Sequence, residues 1–127
     1  MIGLLLVSHG AFGESLIKNV SHILGATPPM LMQLGVVPEN KPNEIRDRAK
    51  EMLALLDQGN GVLVLADILG ATPANVVASL LDPGRIEAVA GLNLPMLLRA
   101  LTYRQIPMEM LLEKVVNGTR ESIVRMQ

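Results

Sequence analysis

Cysteine and tryptophan are absent from this 127-residue chain, and its aromatics are one phenylalanine, Phe12, and one tyrosine, Tyr103. Without thiols there is no disulfide framework, thiolate metal site or cysteine nucleophile. Two aromatics provide no platform for stacking bases. An excess of one charge is missing too: eleven basic and twelve acidic residues leave a net charge of -1. That balance gives no electrostatic footprint for nucleic acid. The longest apolar runs, such as Leu4–Val7 and Val62–Ala66, fall far short of the about 18 residues that span a bilayer. Met1–Ala11 has a leader-like apolar stretch, but no basic residue precedes Lys18, so the charged start of a secretory leader is lacking. What is present is an apolar half, enough to build a core at this length. The composition reads as one soluble, cytoplasmic domain over residues 1–127.

Ile2–Val7 is a nearly continuous apolar run, as in a strand buried on both faces, and ends at Ser8-His9-Gly10. From about Glu14 to Leu24 the apolar positions Leu16, Ile17, Val20, Ile23 and Leu24 share one helical face, with Gly25 placed as a C-terminal cap. His22 lies opposite that stripe and reads as a surface histidine. Met30–Val36 follows as a second strand, Pro38–Pro42 as a loop, and Ile45, Ala49, Met52, Leu53 and Leu56 mark a second amphipathic helix. The charges at Arg46–Arg48, Lys50 and Glu51 are its solvated face. Val62–Ala66 is a third buried strand, ending at Asp67. Thr72-Pro73 has the form of a helix start, threonine as N-cap and proline as first helical residue, for a helix reaching about Leu81. Ile86–Ala90 is a fourth strand, followed by helices from near Pro95 and over about Met108–Asn117, with Gly118 behind the second as the break before Thr119. Thr119–Met126 fits either a helical extension or a strand. The eight methionines read as core filler, with Met30, Met32, Met108 and Met110 also suited to an adaptable contact surface.

Strands alternating with helices predict an α/β fold, a three-layer flavodoxin-like parallel sheet with helices on both faces and strand order 2-1-3-4. In that order the winding reverses between strands one and three, and ligands collect outside their carboxyl ends. His9 follows strand one and Asp67 follows strand three, so the two converge there. A carboxylate bonded to one imidazole nitrogen fixes the tautomer and aims the other outward as nucleophile, base or ligand. Gly70-Ala71-Thr72-Pro73 adds helix-start amides and a hydroxyl suited to an anion, while Gly10, Gly13 and Gly70 permit close backbone approach. Each feature alone has a structural explanation, and their coincidence at one site favours phosphoryl chemistry.

Three segments carry a family resemblance along the whole chain. They are Ser8-His9-Gly10, Asp67-Ile68-Leu69-Gly70-Ala71-Thr72-Pro73-Ala74-Asn75, and Gly91-Leu92-Asn93-Leu94-Pro95-Met96-Leu97. With them the chain resembles the IIA domain of the mannose-type sugar phosphotransferase system. The resemblance implies that His9 accepts a phosphoryl group from the phosphocarrier HPr and passes it to a separate IIB protein. Asp67 would orient the ring, and Gly10, Gly70, Ala71 and Thr72 would hold the phosphoryl oxygens. Phe12 and Leu69 are the candidate partner-binding residues. No metal or cofactor is implied, and contact with the membrane components IIC and IID is peripheral at most. The family also implies a homodimer that exchanges a C-terminal edge strand, here Thr119–Met126. Ile68-Leu69 and Ala71-Thr72 stand where transport-type members commonly carry an aromatic and Gly-Ser, and the threonine hydroxyl can replace that of serine.

Rival readings of a strand-end His-Gly lack their partners. A histidine phosphatase needs arginine where Ser8 stands, and a receiver domain needs acidic residues after strand one. A flavin-binding protein usually stacks aromatics on its cofactor. Two alternatives stay open: a regulatory module that senses phosphorylation in the same system and, ranking below it, a tetrapyrrole metal chelatase.

Overall fold

The computed structural model describes all of residues 1–127. Four strands, β1 (Gly3–His9), β2 (Leu31–Val36), β3 (Val62–Ala66) and β4 (Ile86–Ala90), form a parallel sheet in the order β2-β1-β3-β4. The order is the one expected. Five helices connect and follow them: α1 (Phe12–Leu24), α2 (Pro42–Leu56), α3 (Thr72–Ala78), α4 (Leu94–Tyr103) and α5 (Met108–Glu121).

The unbroken apolar runs of β1 and β3 arise because both faces are covered. Leu4 and Leu6 of β1, with Leu63 and Leu65 of β3, pack on α1, α4 and α5 through Leu16, Val20, Leu97, Leu111 and Val115. Leu5 and Val7, with Val62 and Val64, face α2 and α3 through Ile45, Ala49, Leu53, Val76 and Val77. Each fully buried leucine of this kind contributes about 1.5–3 kcal/mol relative to exposure. Among the strands, β4 pairs only with β3, and beyond an Asp82–Ile86 bridge at its start its outer edge is open. Among the methionines, Met96 and Met108 are core residues, whereas Met110 and Met126 are exposed.

Several boundaries differ from expectation for local reasons. Helix α1 starts at Phe12 because Ser15 N–H already donates to Ala11 C=O at 3.0 Å. Gly25 ends it in the left-handed conformation, as anticipated. Thr72 is not the N-cap of α3. Ala71 C=O closes the first helical bond, from Asn75 N–H at 3.0 Å, so Thr72 is the first helical residue and its hydroxyl caps nothing. The helix stops at Ala78 rather than Leu81, where Ser79 and Leu80 donate instead to carbonyls three residues back.

At the C-terminus, α5 runs through Gly118 to Glu121, so the first part of the segment expected as an exchangeable strand is helical. Gly118 does not break the helix: a Cβ there would collide with the Arg99 side chain, which lies across it. Thr119 is buried, and its hydroxyl donates to Val115 C=O at 2.6 Å. Residues 123–127 carry no regular structure.

Arg104, which the sequence pattern does not single out, is 4% exposed. It donates to the carbonyls of Ile2 (2.9 Å), Pro29 (2.7 Å) and Met30 (2.5 Å). Burial lowers its pKa from the usual guanidinium range, but arginine stays protonated. One side chain thereby ties the starts of β1 and β2 to the loop after α4, at the end of the sheet opposite the carboxyl termini of the strands.

Candidate functional site

Register brings the two central residues together. β1 and β3 pair as far as Val7 with Ala66, and each strand then delivers a polar residue. Asp67 Oδ2 accepts from His9 Nδ1 at 2.7 Å and from the His9 backbone N–H at 2.9 Å, while Oδ1 accepts from Ile68 N–H at 2.8 Å. Burial opposes the carboxylate, but the bonds from the His9 N–H, the His9 ring and the Ile68 N–H, with the attraction of His9, outweigh it. The Asp67 pKa is lowered as a result. An ionised carboxylate only accepts, so this bond assigns the ring proton to Nδ1 and leaves the Nε2 lone pair free. The His9 side chain is 56% exposed against 13% for Asp67, so the ring faces solvent from a shielded anchor.

The turn after His9 is pinned to β2. Gly10, at φ 53, donates its N–H to Val36 C=O at 2.8 Å, and a Cβ on Gly35 would run into the Gly10 carbonyl oxygen. Ser8 Oγ accepts from Gly13 N–H at 3.0 Å, joining the end of β1 to the start of α1. Thr72, the first residue of α3, reaches the same place. A cleft of about 260 Å3 is lined by His9, Thr72, Val36, Val37, Pro38 and Asn40. The N–H groups of Gly70, Ala71 and Thr72 donate to nothing in the chain.

His9, Asp67 and Thr72 are therefore assembled as their sequence positions suggested. Gly10 sits beside them, but its N–H is committed to Val36, so the unpaired amides near the site are those of Gly70–Thr72 and, at the start of α1, those of Ala11 and Phe12. Phe12 (43% exposed) is the first residue of α1, three residues after His9, and Leu69 (81%) stands on the loop that follows Asp67, with Ile68 and Val37 also exposed. Asn40 was missed; its signal was an asparagine two residues after Pro38, in a segment read only as a loop. His22 is exposed in the last turn of α1 and plays no part in the site. No three His, Asp or Glu side chains are grouped to hold a metal ion.

A family model described as the PTS system fructose IIA component matches residues 3–118. The chain belongs to this EIIA family of the phosphotransferase system. The mannose-specific EIIAB component of Escherichia coli (strain K12) is 31% identical over 104 residues, which cover 81% of this chain and 32% of that protein. The chain thus spans about a third of the length of that relative. The fructose-specific EIIA component of Bacillus subtilis (strain 168) is 31% identical over 109 residues, 83% of this chain and 72% of that protein. Among solved structures, phosphotransferase system component EIIA from Streptococcus agalactiae aligns with a TM-score of 0.88 at 28% identity, covering 98% of this chain and 97% of that one. No helix of the EIIA chain is long and apolar enough to cross a membrane.

Proposed function

We propose that the chain is a cytoplasmic phosphoryl carrier in which His9 Nε2 accepts a phosphoryl group from HPr and passes it to a IIB partner. The carrying observation is the 2.7 Å bond between His9 Nδ1 and Asp67, which leaves the exposed Nε2 as the nucleophile. The Nε2 lone pair forms the new N–P bond while the N–P bond of the donor phosphohistidine breaks, and its electron pair returns to the donor ring. The Nδ1 proton stays with His9, where Asp67 offsets the positive charge that the ring gains. The second transfer reverses these roles.

Phosphoryl transfer needs positioning and charge stabilisation more than covalent help from the protein. The Thr72 hydroxyl and the unpaired amides of Gly70 and Ala71 supply donors for the phosphoryl oxygens. Exposed Phe12 and Leu69 form the apolar rim on which the partner proteins seat. The acting unit is a homodimer. Any contact with the membrane components IIC and IID is peripheral.

Incubation with phosphoenolpyruvate, enzyme I and HPr tests the reading. One acid-labile phosphate per chain is expected, and none with His9→Ala. Equal labelling of that variant would overturn the assignment.

A further inference from the structure

We propose that Asn40 is a phosphoryl-binding residue that works with Thr72 opposite His9. The inference deepens the phosphotransfer reading and rests on it. Asn40 closes the Val37–Asn40 turn twice. Its backbone N–H donates to Val37 C=O at 3.0 Å, and its Oδ1 accepts from Val37 N–H at 2.9 Å. Only the carboxamide oxygen can accept from an N–H, so this bond fixes the orientation of the amide group and turns Nδ2 the other way.

The Nδ2 group has no acceptor in the chain, and it is not among the buried, unpaired atoms either, so it meets solvent. Asn40 lines the cleft that holds His9 and Thr72. The other lining residues are Val36, Val37 and Pro38, which bring no polar side chain. The two N–H donors of the Asn40 amide are therefore free for a ligand in a cleft whose lining brings no carboxylate. A neutral donor pair in the same cleft as the unpaired Thr72 hydroxyl suits an anion that arrives with its own charge. The turn by itself does not demand asparagine, because aspartate offers Val37 N–H the same acceptor.

That equivalence supplies the test. Asn40→Asp keeps the turn and replaces the two donors with a negatively charged oxygen, whereas Asn40→Ala removes the turn bond as well. With Asn40→Asp the thermal midpoint stays at the parental value, and single-turnover phosphoryl acceptance from phospho-HPr falls roughly 10²-fold. A separate titration with inorganic phosphate, followed by 1H–15N spectra of the free protein, shifts the Asn40 side-chain NH2 signals together with the Thr72 amide. The Thr72 shift weakens in Asn40→Asp. Parental transfer by Asn40→Asp, or Asn40 NH2 signals that phosphate leaves unmoved, overturns the proposal. If the parent chain takes no phosphoryl group from HPr, the phosphotransfer reading fails and the phosphate titration alone decides for or against Asn40.

Discussion

Asp67 concentrates three hydrogen bonds on one carboxylate, and two of the three come from His9. Asp67→Asn keeps the shape but exchanges an acceptor-only group for one that can present an N–H to the ring. Single-turnover transfer to His9 is expected to slow by roughly 10²–10⁴-fold with the fold intact. An unchanged rate would leave Asp67 a purely structural residue. The lowered pKa has a second outcome. A carboxyl group that ionises more readily in the folded chain adds stability above its unfolded pKa, near the ordinary 3.8, and loses it as pH falls through the lower folded value. Asp57 behaves alike, held down first by Gly59 N–H, with further bonds from Gly61 N–H and Arg85 outweighing burial. Denaturant midpoints measured against pH should therefore be level with respect to these two groups above about pH 5 and decline below pH 4. The acid decline should be shallower in Asp67→Asn than in the parent, and identical slopes would contradict the depressed pKa.

At the scale of elements, the clamp on the amino ends of β1 and β2 makes a different demand. Arg104→Met removes a buried fork from three carbonyls and leaves their polar atoms in a part-buried setting. A loss of about 3 kcal/mol is expected, or roughly 10 °C in thermal midpoint for a chain of this size. Arg104→Lys should recover only part, because an ammonium cannot reproduce the planar fork. Calorimetry of both variants checks this, and a midpoint unchanged in Arg104→Met would show that water satisfies those carbonyls as well. The elements themselves were largely legible beforehand. β3 and β4 fell on their expected residues because short β-rich runs bounded by Gly61, Asp67, Gly84 and Gly91 leave little freedom in where they start and stop. His9 and Asp67 were legible because each is the first strongly polar side chain to end an apolar run, His9 as the last residue of β1 and Asp67 just past β3, Ser8 being small and buried. Arg104 was not legible, since an arginine between two helices looks like surface until the bare carbonyls beside Met30 are known. Gly118 misled for a similar reason: glycine normally marks a helix end, and only the Arg99 side chain lying over it explains one inside α5.

For the whole molecule, the sheet ends in two edge strands, β2 and β4, and the outer edge of β4 is the one flanked by an apolar groove. The groove, of about 120 Å3, has Leu69, Val77, Leu81 and Val89 among its walls. The same chain ends in Ile123, Val124 and Met126, exposed by 80%, 72% and 92%. A tail laid along that edge of a second copy would satisfy the idle N–H and C=O groups and cover these side chains, which is the basis for the proposed homodimer. Deleting residues from Ile123 onward spares α5, unlike a cut at Thr119, whose side chain is part of the core. Sedimentation equilibrium should find a dimeric parent and a monomeric truncated chain; a monomeric parent, or a truncated chain that dimerises as tightly, would refute it. The placement of Arg104 has a consequence of another kind. The residues that hold the sheet together at its amino ends are remote from Phe12, Ile68 and Leu69. Substitutions among the exposed side chains proposed to seat the partners would alter which protein docks while the folding equilibrium is left almost untouched. A lineage carrying this arrangement is free to trade one partner for another without first acquiring a compensating stabiliser.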